Sequence, residues 1–143
     1  MNKNKSEEAF NELVFYTLSL RDASFIHQHV VDAYGAQTAD SETKPIRVVF
    51  SLIGLYLYLE KNYTGKQVQH FHMLMSKNKI QWPKILLPEK RGDITVSNVL
   101  AAAPGLERDK MIKRWCEEVW ESYKKNRPTI KVLVKQYETK SGI

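Results

Sequence analysis

The sequence contains one cysteine, Cys116, among its 143 residues. One thiol cannot form a disulfide within the chain, and it cannot supply a zinc site built from several cysteines. No Asn-Gly or Asp-Gly pair occurs, so the strongest short-range signal for a β-hairpin is also missing. These absences exclude a disulfide scaffold and argue against a fold built from hairpins.

Long hydrophobic segments are missing as well. The longest apolar stretch covers residues 46–59 and contains Arg47, whereas a membrane-spanning helix needs about 20 apolar residues. Residues 1–8 are polar and carry no hydrophobic region typical of a secretory signal. We therefore expect a cytoplasmic protein with no membrane partner, and the single cysteine fits a reducing compartment.

Positive charge is in excess, with a net charge of +6 and an isoelectric point near 9.4. A basic balance favours nucleic acids or anionic surfaces as partners. The lysines are dispersed, however, and no block of five like charges occurs. Neither helix-turn-helix spacing nor interleaved aromatic and basic residues are found, so nucleic-acid binding is the least favoured of three functions considered.

Apolar residues recur with helical spacing along most of the chain. Phe10, Leu13, Val14 and Leu18 follow the helical period, while residues 45–61 are apolar nearly all round, as in a buried helix. No segment shows sustained strand alternation. The sequence therefore predicts an all-α, single-domain bundle of five to seven helices over residues 1–143, with mobile tails at about 1–8 and 139–143.

Residues typical of helix ends predict where the helices begin. Thr64 and Gln67 have the spacing of a capping box, and Pro45 is favourable at the first position of a helix. Ser6 can cap the first helix, and Asp22 or Ser24 the second. The helices are expected at about 6–19, 23–39, 45–61, 64–78, 95–103, 106–125 and 127–137, with a loop at 81–95.

All four histidines occur in His-x-His pairs, His27/His29 and His70/His72. Residues two apart on a helix point about 200° from each other, so one pair cannot chelate one metal ion. On the second predicted helix, His27 shares a side with Val31, and we expect it to point inward while His29 lies toward a border.

On the fourth predicted helix, His72 shares a side with Val68 and Met75 and is expected to face inward. Each helix then offers one histidine to a common interior. A polar pocket for a small ligand or a divalent metal is the favoured function. Its candidate ligand-binding residues are His27, Asp32, Tyr34, Gln37, His72 and Trp82.

The metal version of this pocket uses His27, His72 and Asp32. Two imidazoles and a carboxylate suit zinc or iron(II) with open coordination positions. A His–Asp pair also suits a general base. No phosphate loop, dinucleotide glycine motif or nucleophile signature completes a catalytic centre, so whether the protein is an enzyme stays open.

Two alternatives give the polar residues structural roles. A buried histidine can satisfy its nitrogens against a carbonyl or carboxylate, and Asp32 can pair with Lys44 or Arg47. The protein is then an interaction protein, such as a homodimer formed through an apolar face of the third or sixth helix. Size exclusion with light scattering separates this alternative from the pocket.

Aromatic residues near the carboxyl end have a simpler interpretation. Trp115, Trp120 and Tyr123 share one helical stripe and are expected to pack in the core, as is the Cys116 thiol. Trp82, which precedes a proline in the predicted loop, either plugs the end of the bundle or lines a pocket mouth.

The segment His-Gln-His-Val-Val-Asp-Ala-Tyr-Gly-Ala-Gln at 27–37, together with His72-Met73, Trp82-Pro83 and the 115–120 segment, resembles a prokaryotic family of unknown function. The likeness covers about residues 10–137. It implies that His27 and His72 matter more than His29 and His70. The chain has Thr38-Ala39 where related sequences carry His-Pro, and it lacks their amino-terminal Cys-x-x-Cys pair. The family implies no activity.

Overall fold

A computed structural model of the chain describes residues 3–78 and 81–141. Helices and connecting loops make up these residues, which contain no strand, and the predicted all-α bundle of five to seven helices is confirmed. The elements are α1 (Lys3–Ser19), α2 (His27–Thr38), α3 (Pro45–Lys61), α4 (Gly65–Ser76), α5 (Val96–Ala101), α6 (Leu106–Ser122), a 3₁₀ turn (Lys124–Asn126) and α7 (Arg127–Ser141).

The predicted tails coincide partly with helix. Helix α1 begins at Lys3, so residues 3–8 form its first turns and Ser6 lies inside the helix instead of capping it. At the other end the backbone of residues 139–141 continues α7. Residues 1–2 and 142–143 of the predicted tails lie outside the described residues.

Helix α2 begins two to four residues later than a cap at Ser24 or Asp22 predicts, because Asp22 closes a turn before it. The Asp22 carboxylate accepts hydrogen bonds from Ile26 N (2.9 Å) and from the Ser24 hydroxyl (2.8 Å). Phe25 then takes a left-handed conformation with φ of 58°, which interrupts helical geometry. The same turn packs closely against the first residue of α4, Gly65. A Cβ atom at Gly65 would lie 1.7 Å from the Phe25 carbonyl oxygen, so this contact leaves no room for a side chain.

Helix α2 lies at the centre of the bundle and contacts α1, α3, α4 and α6. Val30, Ala33 and Ala36 of this helix are fully buried. A helix packed on several sides has no single core face, and helical-face arguments based on one apolar stripe therefore lose their force for it. This position brings polar residues of α2 into the interior.

The loop at 81–95 has neither helix nor strand but is firmly attached. The Asn126 side chain exchanges two hydrogen bonds with the backbone of Leu86, at 2.9 and 3.0 Å. Glu118 accepts from the backbone N–H groups of Asp93 and Ile94. Arg91 donates to the Ala36, Gln37 and Ala39 carbonyls at the carboxyl end of α2.

The core prediction for the aromatic stripe on α6 is confirmed. Trp115, Trp120, Tyr123 and Cys116 are all buried. The polar atoms of the three aromatic residues find partners; Trp120 Nε1, for example, donates to Glu60 Oε2 at 2.8 Å. These residues join α6 to α2 and α3.

The surface of α3 gives little support to a homodimer through that helix. None of the exposed large apolar side chains belongs to α3, because residues 48–57 are almost entirely buried within the bundle. On α6, Leu106 at the first position is exposed. Within the described residues, no helix combines the length and apolar character needed to cross a bilayer.

Candidate functional site

A partly open cavity of about 620 Å³ lies between the first four helices. Four of the six predicted ligand-binding residues line it: His27, Asp32, Tyr34 and His72. The structure thus brings together histidines from α2 and α4, as the helical-face argument requires. The remaining lining residues are Phe10, Val14, Gln28, Val31, Gly35, Thr38, Ala39, Thr43, Arg47, Phe50 and Ser51.

His27 is held in one tautomer by Thr17, which projects from α1. The Thr17 hydroxyl donates to the Val14 carbonyl (3.1 Å), so its single proton is committed. It therefore accepts from His27 Nδ1 at 3.0 Å. Because burial lowers the pKa of His27, the ring is neutral near pH 7 and Nε2 carries a lone pair.

His72 is a neutral ring with a buried nitrogen that has no partner. Its ring stacks on Phe50 of α3, with centroids 4.9 Å apart and planes 7° from parallel. Burial lowers the pKa of His72 to about 4, although a backbone hydrogen bond at Phe50 opposes this change. No described residue bonds His72 Nε2. The inward orientation predicted for His72 agrees with the full burial of Val68 and Met75 beside it.

Asp32 is a buried carboxyl group with one unpaired oxygen. Its Oδ1 accepts from Gln28 Nε2 at 3.2 Å, whereas Oδ2 bonds to no described residue. Burial raises the pKa of Asp32 well above its ordinary value, which favours the protonated, uncharged form. Among the described residues, Asp32 forms no ion pair with Lys44 or Arg47, the predicted alternative, and its carboxyl lies against Gly54 in the middle of α3.

Tyr34 contributes an aromatic wall. Its ring stacks on Phe10 of α1, with centroids 4.0 Å apart and planes 9° from parallel. Its hydroxyl lies 3.2 Å from the Ser6 hydroxyl. The contacts of Tyr34 therefore tie α2 to α1 along one side of the cavity.

Gln37 and Trp82 do not line the cavity. The Gln37 amide donates to the Arg91 and Ile94 carbonyls and accepts from Trp115 Nε1 (2.9 Å), which fixes the 81–95 loop. Trp82 packs edge-on against Phe50, with centroids 5.1 Å apart. The structure gives both residues packing roles next to the site.

The place predicted for His29 on α2 is wrong. His29, expected at a border, is 4% exposed and stacks on Tyr58 with centroids 3.6 Å apart. Burial lowers its pKa to about 4. The Cys116 thiol donates to the His29 carbonyl at 3.7 Å. The reason is that α2 contacts four other helices, which bury more of its surface than its apolar stripe. His27, expected to point inward, lines the partly open cavity together with His72.

Sequence reasoning missed Thr17, Ser51 and Arg47. Thr17 lies on an apolar helical stripe, where nothing marks it as a partner of His27. Ser51 lies opposite Gly35, where a side chain would lie 2.4 Å from its hydroxyl oxygen. The available signal was the spacing of small residues on α2 and α3, which permits close helix packing.

The cavity has hydrogen-bonding walls but no metal cluster. Among the residues that the structure describes, no three histidine, cysteine, aspartate or glutamate side chains are placed to hold a metal ion. His27, His72 and Asp32 therefore do not form the three-ligand set that zinc or iron(II) sites use. The arrangement instead offers neutral nitrogens, a carboxylic acid and aromatic surfaces.

Comparison with known proteins gives a family. Residues 4–124 match a family described as "Family of unknown function (DUF5946)". No curated protein and no solved structure matches the chain. The match confirms the predicted resemblance to a family of unknown function and covers helices α1 to α6. The chain therefore belongs to the DUF5946 family.

Proposed function

We propose that the cavity between α1, α2, α3 and α4 binds a small organic molecule, with His27 and His72 as its hydrogen-bonding residues. The observation that carries this proposal is that two imidazoles from different helices line one cavity, and that the buried Nε2 atom of one of them, His72, bonds to no described residue.

The free-energy cost of the buried His72 Nε2 supports a ligand. An unpaired buried polar atom destabilises a protein by about 1–3 kcal/mol. Most buried polar side-chain atoms have a hydrogen-bond partner, although His29 Nδ1, which lies outside the cavity, also bonds to no described residue. A bound molecule that reaches His72 Nε2 replaces its lost hydration with a hydrogen bond.

An organic ligand is favoured over a divalent metal. A metal ion at His27 and His72 needs a third protein ligand or several waters, and the Asp32 oxygen without a partner lies against Gly54 of α3. Burial also raises the pKa of Asp32, which disfavours the carboxylate form that a metal ion requires. Zinc and iron(II) titrations accompany the ligand screen as the alternative outcome.

The experiment is a fragment screen by ligand-observed NMR and thermal shift, with three variants. His72→Phe keeps a flat ring on Phe50 but removes both nitrogens. His27→Ala removes the second imidazole. His70→Ala is the matched control, because His70 is exposed on the same helix as His72 and lies outside this cavity.

We expect fragments that bind the wild-type protein and the His70→Ala variant but lose affinity in the other two. A His72→Phe variant that folds stably and no longer binds separates a binding role from a structural one. Fragments that bind all variants equally, or the absence of any binding fragment, contradict the proposal. A zinc or iron(II) shift without fragment binding favours the metal alternative.

We also propose a cytoplasmic location. The only cysteine is buried and free, which fits a reducing compartment. Cell fractionation with an antibody to the native protein tests this, and recovery from an oxidising compartment contradicts it.

A further inference from the structure

We propose that the ligand of this cavity is a planar aromatic or heteroaromatic acid, whose ring lies against the stacked rings of the walls and whose anionic group meets Arg47. This inference rests on the proposed function and adds a substrate class to it. Three features of the cavity carry it: the flat rings, the two histidines of the lining and the one permanent charge.

Each of the four helices contributes at least one flat ring to the cavity. Phe10 of α1 stacks on Tyr34 of α2, and Phe50 of α3 stacks on His72 of α4. Both pairs are within 10° of parallel. Aromatic surfaces bind flat π-systems by offset stacking or edge contacts, which a saturated ring cannot reproduce. The shape of the walls therefore favours a planar ligand.

Arg47 carries the only full charge among the lining side chains near neutral pH. Burial raises the pKa of Asp32 well above its ordinary value and lowers the pKa of both lining imidazoles, which favours the uncharged form of each group. Arg47 forms no ion pair with any described residue, although the structure contains such pairs elsewhere. An unpaired guanidinium at a cavity is suited to a carboxylate, which it can bind with two parallel hydrogen bonds.

The surroundings of Arg47 leave it available. Arg47 is exposed, and Asp40, in the turn before α3, accepts from Glu42 N (2.9 Å) and from the Thr43 hydroxyl (3.3 Å) within that turn. Arg47 lies in the first turn of α3, whose amino end has no side-chain cap. The helix dipole there has the same sign as the guanidinium and adds to the attraction for an anion.

In this proposal, the two imidazoles form hydrogen bonds with the edge of the ligand ring. His27 offers Nε2 as an acceptor, because its Nδ1–H group donates a hydrogen bond to the Thr17 hydroxyl. His72 lines the same cavity, and its buried Nε2 bonds to no described residue. A heteroaromatic ring with an N–H group can satisfy His27 while its acid group pairs with Arg47. A neutral ring leaves the guanidinium without an anion and is therefore the disfavoured class.

The test compares three probes by isothermal titration calorimetry: indole-3-carboxylate, indole-3-carboxamide and cyclohexanecarboxylate. The first two differ in charge, and the first and third differ in ring planarity. The proteins are the wild type, Arg47→Gln and Lys44→Gln. Lys44 is the matched control, because it carries the same charge three residues away, is exposed and does not line the cavity.

We expect the indole acid to bind the wild-type protein about tenfold or more tightly than either other probe, as a charge-assisted hydrogen bond predicts. Arg47→Gln removes the preference for acid over amide, and Lys44→Gln retains it. An amide that binds as tightly as the acid, equal effects of the two substitutions, or no binding of the acid overturns the inference. The fragment screen decides separately whether the cavity binds ligands at all.

Discussion

The carboxyl group of Asp32 occupies the space that a side chain on Gly54 would need. An ideal Cβ atom at Gly54 lies 1.8 Å from Asp32 Oδ2, well inside van der Waals contact. Gly54 is a mid-helix residue of α3, where alanine normally stabilises a helix by about 1 kcal/mol. The absence of a side chain there therefore serves the contact with Asp32 and not the helix itself.

We expect Gly54→Ala to destabilise the protein by about 1–3 kcal/mol, because overpacking at Asp32 outweighs the gain in helix propensity. Urea denaturation followed by circular dichroism measures this. In the double variant with Asp32→Ala, the cost falls, since the obstructing carboxyl is gone. Additive effects of the two substitutions contradict the contact.

Replacement of Asp32 by asparagine tests its protonation. Burial raises the pKa of Asp32 in the folded protein above its ordinary value of 3.8. The folded state then holds a proton that the unfolded state has lost, so this residue makes stability fall as pH rises above 3.8. Asp32→Asn removes that proton without changing the shape much.

We therefore expect the stability of Asp32→Asn relative to the wild type to increase with pH. The slope is up to about 1.4 kcal/mol per pH unit until the folded pKa is passed. Denaturant midpoints between pH 5 and 8.5 measure it. A constant difference over this range means that Asp32 is ionised in the folded protein.

His72 gives the opposite pH dependence, because its contribution to the free energy of unfolding decreases as the pH falls. Its pKa is lowered from 6.5 to about 4 in the folded protein, so the unfolded state binds the proton first. Its contribution to stability is complete above pH 6.5 and is lost as pH falls toward 4. We expect His72→Phe to flatten this acid loss. His70→Ala, a control at an exposed residue, retains the wild-type profile.

The fold was largely predictable from the sequence, for local physical reasons. The Thr64–Gln67 capping box forms as predicted, and α3 has the predicted bounds because Pro45 fixes its start. Both signals depend on neighbouring residues only. The start of α2 was harder to predict, because it depends on the turn that the Asp22 carboxylate closes before the helix. Asp22 and Ser24 were both possible capping residues.

The site was predictable only in part. His72 lies on α4, a helix with one apolar face, so the direction of its side chain could be derived from the spacing of the apolar residues. His29 could not be placed in this way, because α2 contacts four other helices and its buried surface exceeds its apolar stripe. The role of Gln37 depends on Arg91 and Ile94 of the 81–95 loop, which lie more than 50 residues away in the chain.

The tautomer of His27 is testable by NMR. The structure assigns the proton to Nδ1, since the Thr17 hydroxyl proton is directed to the Val14 carbonyl. We expect ¹⁵N shifts of His27 to show a protonated Nδ1 and a bare Nε2 in the wild type. Thr17→Val removes the acceptor and allows the Nε2–H tautomer, at a cost of about 1 kcal/mol in stability.

Thr17→Ser is the control for this experiment, because it keeps the hydroxyl and therefore the wild-type ¹⁵N pattern. Fragment binding should weaken in Thr17→Val and persist in Thr17→Ser, since the ligand meets a lone pair on Nε2 only in the wild-type tautomer. A wild-type spectrum with the proton on Nε2 contradicts the assignment and makes His27 a donor to the ligand.

Gln37 and Gln28 both lie on α2, and we expect a structural role for the Gln37 amide and a ligand-binding role for the Gln28 amide. Its side chain makes three hydrogen bonds, to Arg91 O, Ile94 O and Trp115 Nε1, and it lies outside the cavity. We expect Gln37→Ala to destabilise the protein by about 2–4 kcal/mol, because it leaves buried groups such as Trp115 Nε1 unpaired. Thermal and urea unfolding measure this loss.

Gln28→Ala is the matched comparison, because Gln28 lines the cavity and makes a single bond, to Asp32 Oδ1. It should lower stability less and alter fragment affinity more than Gln37→Ala does. At a temperature where both variants are folded, Gln37→Ala should bind fragments as the wild type does. A direct loss of binding in folded Gln37→Ala restores Gln37 to the set of ligand-binding residues, with the 81–95 loop as part of the site.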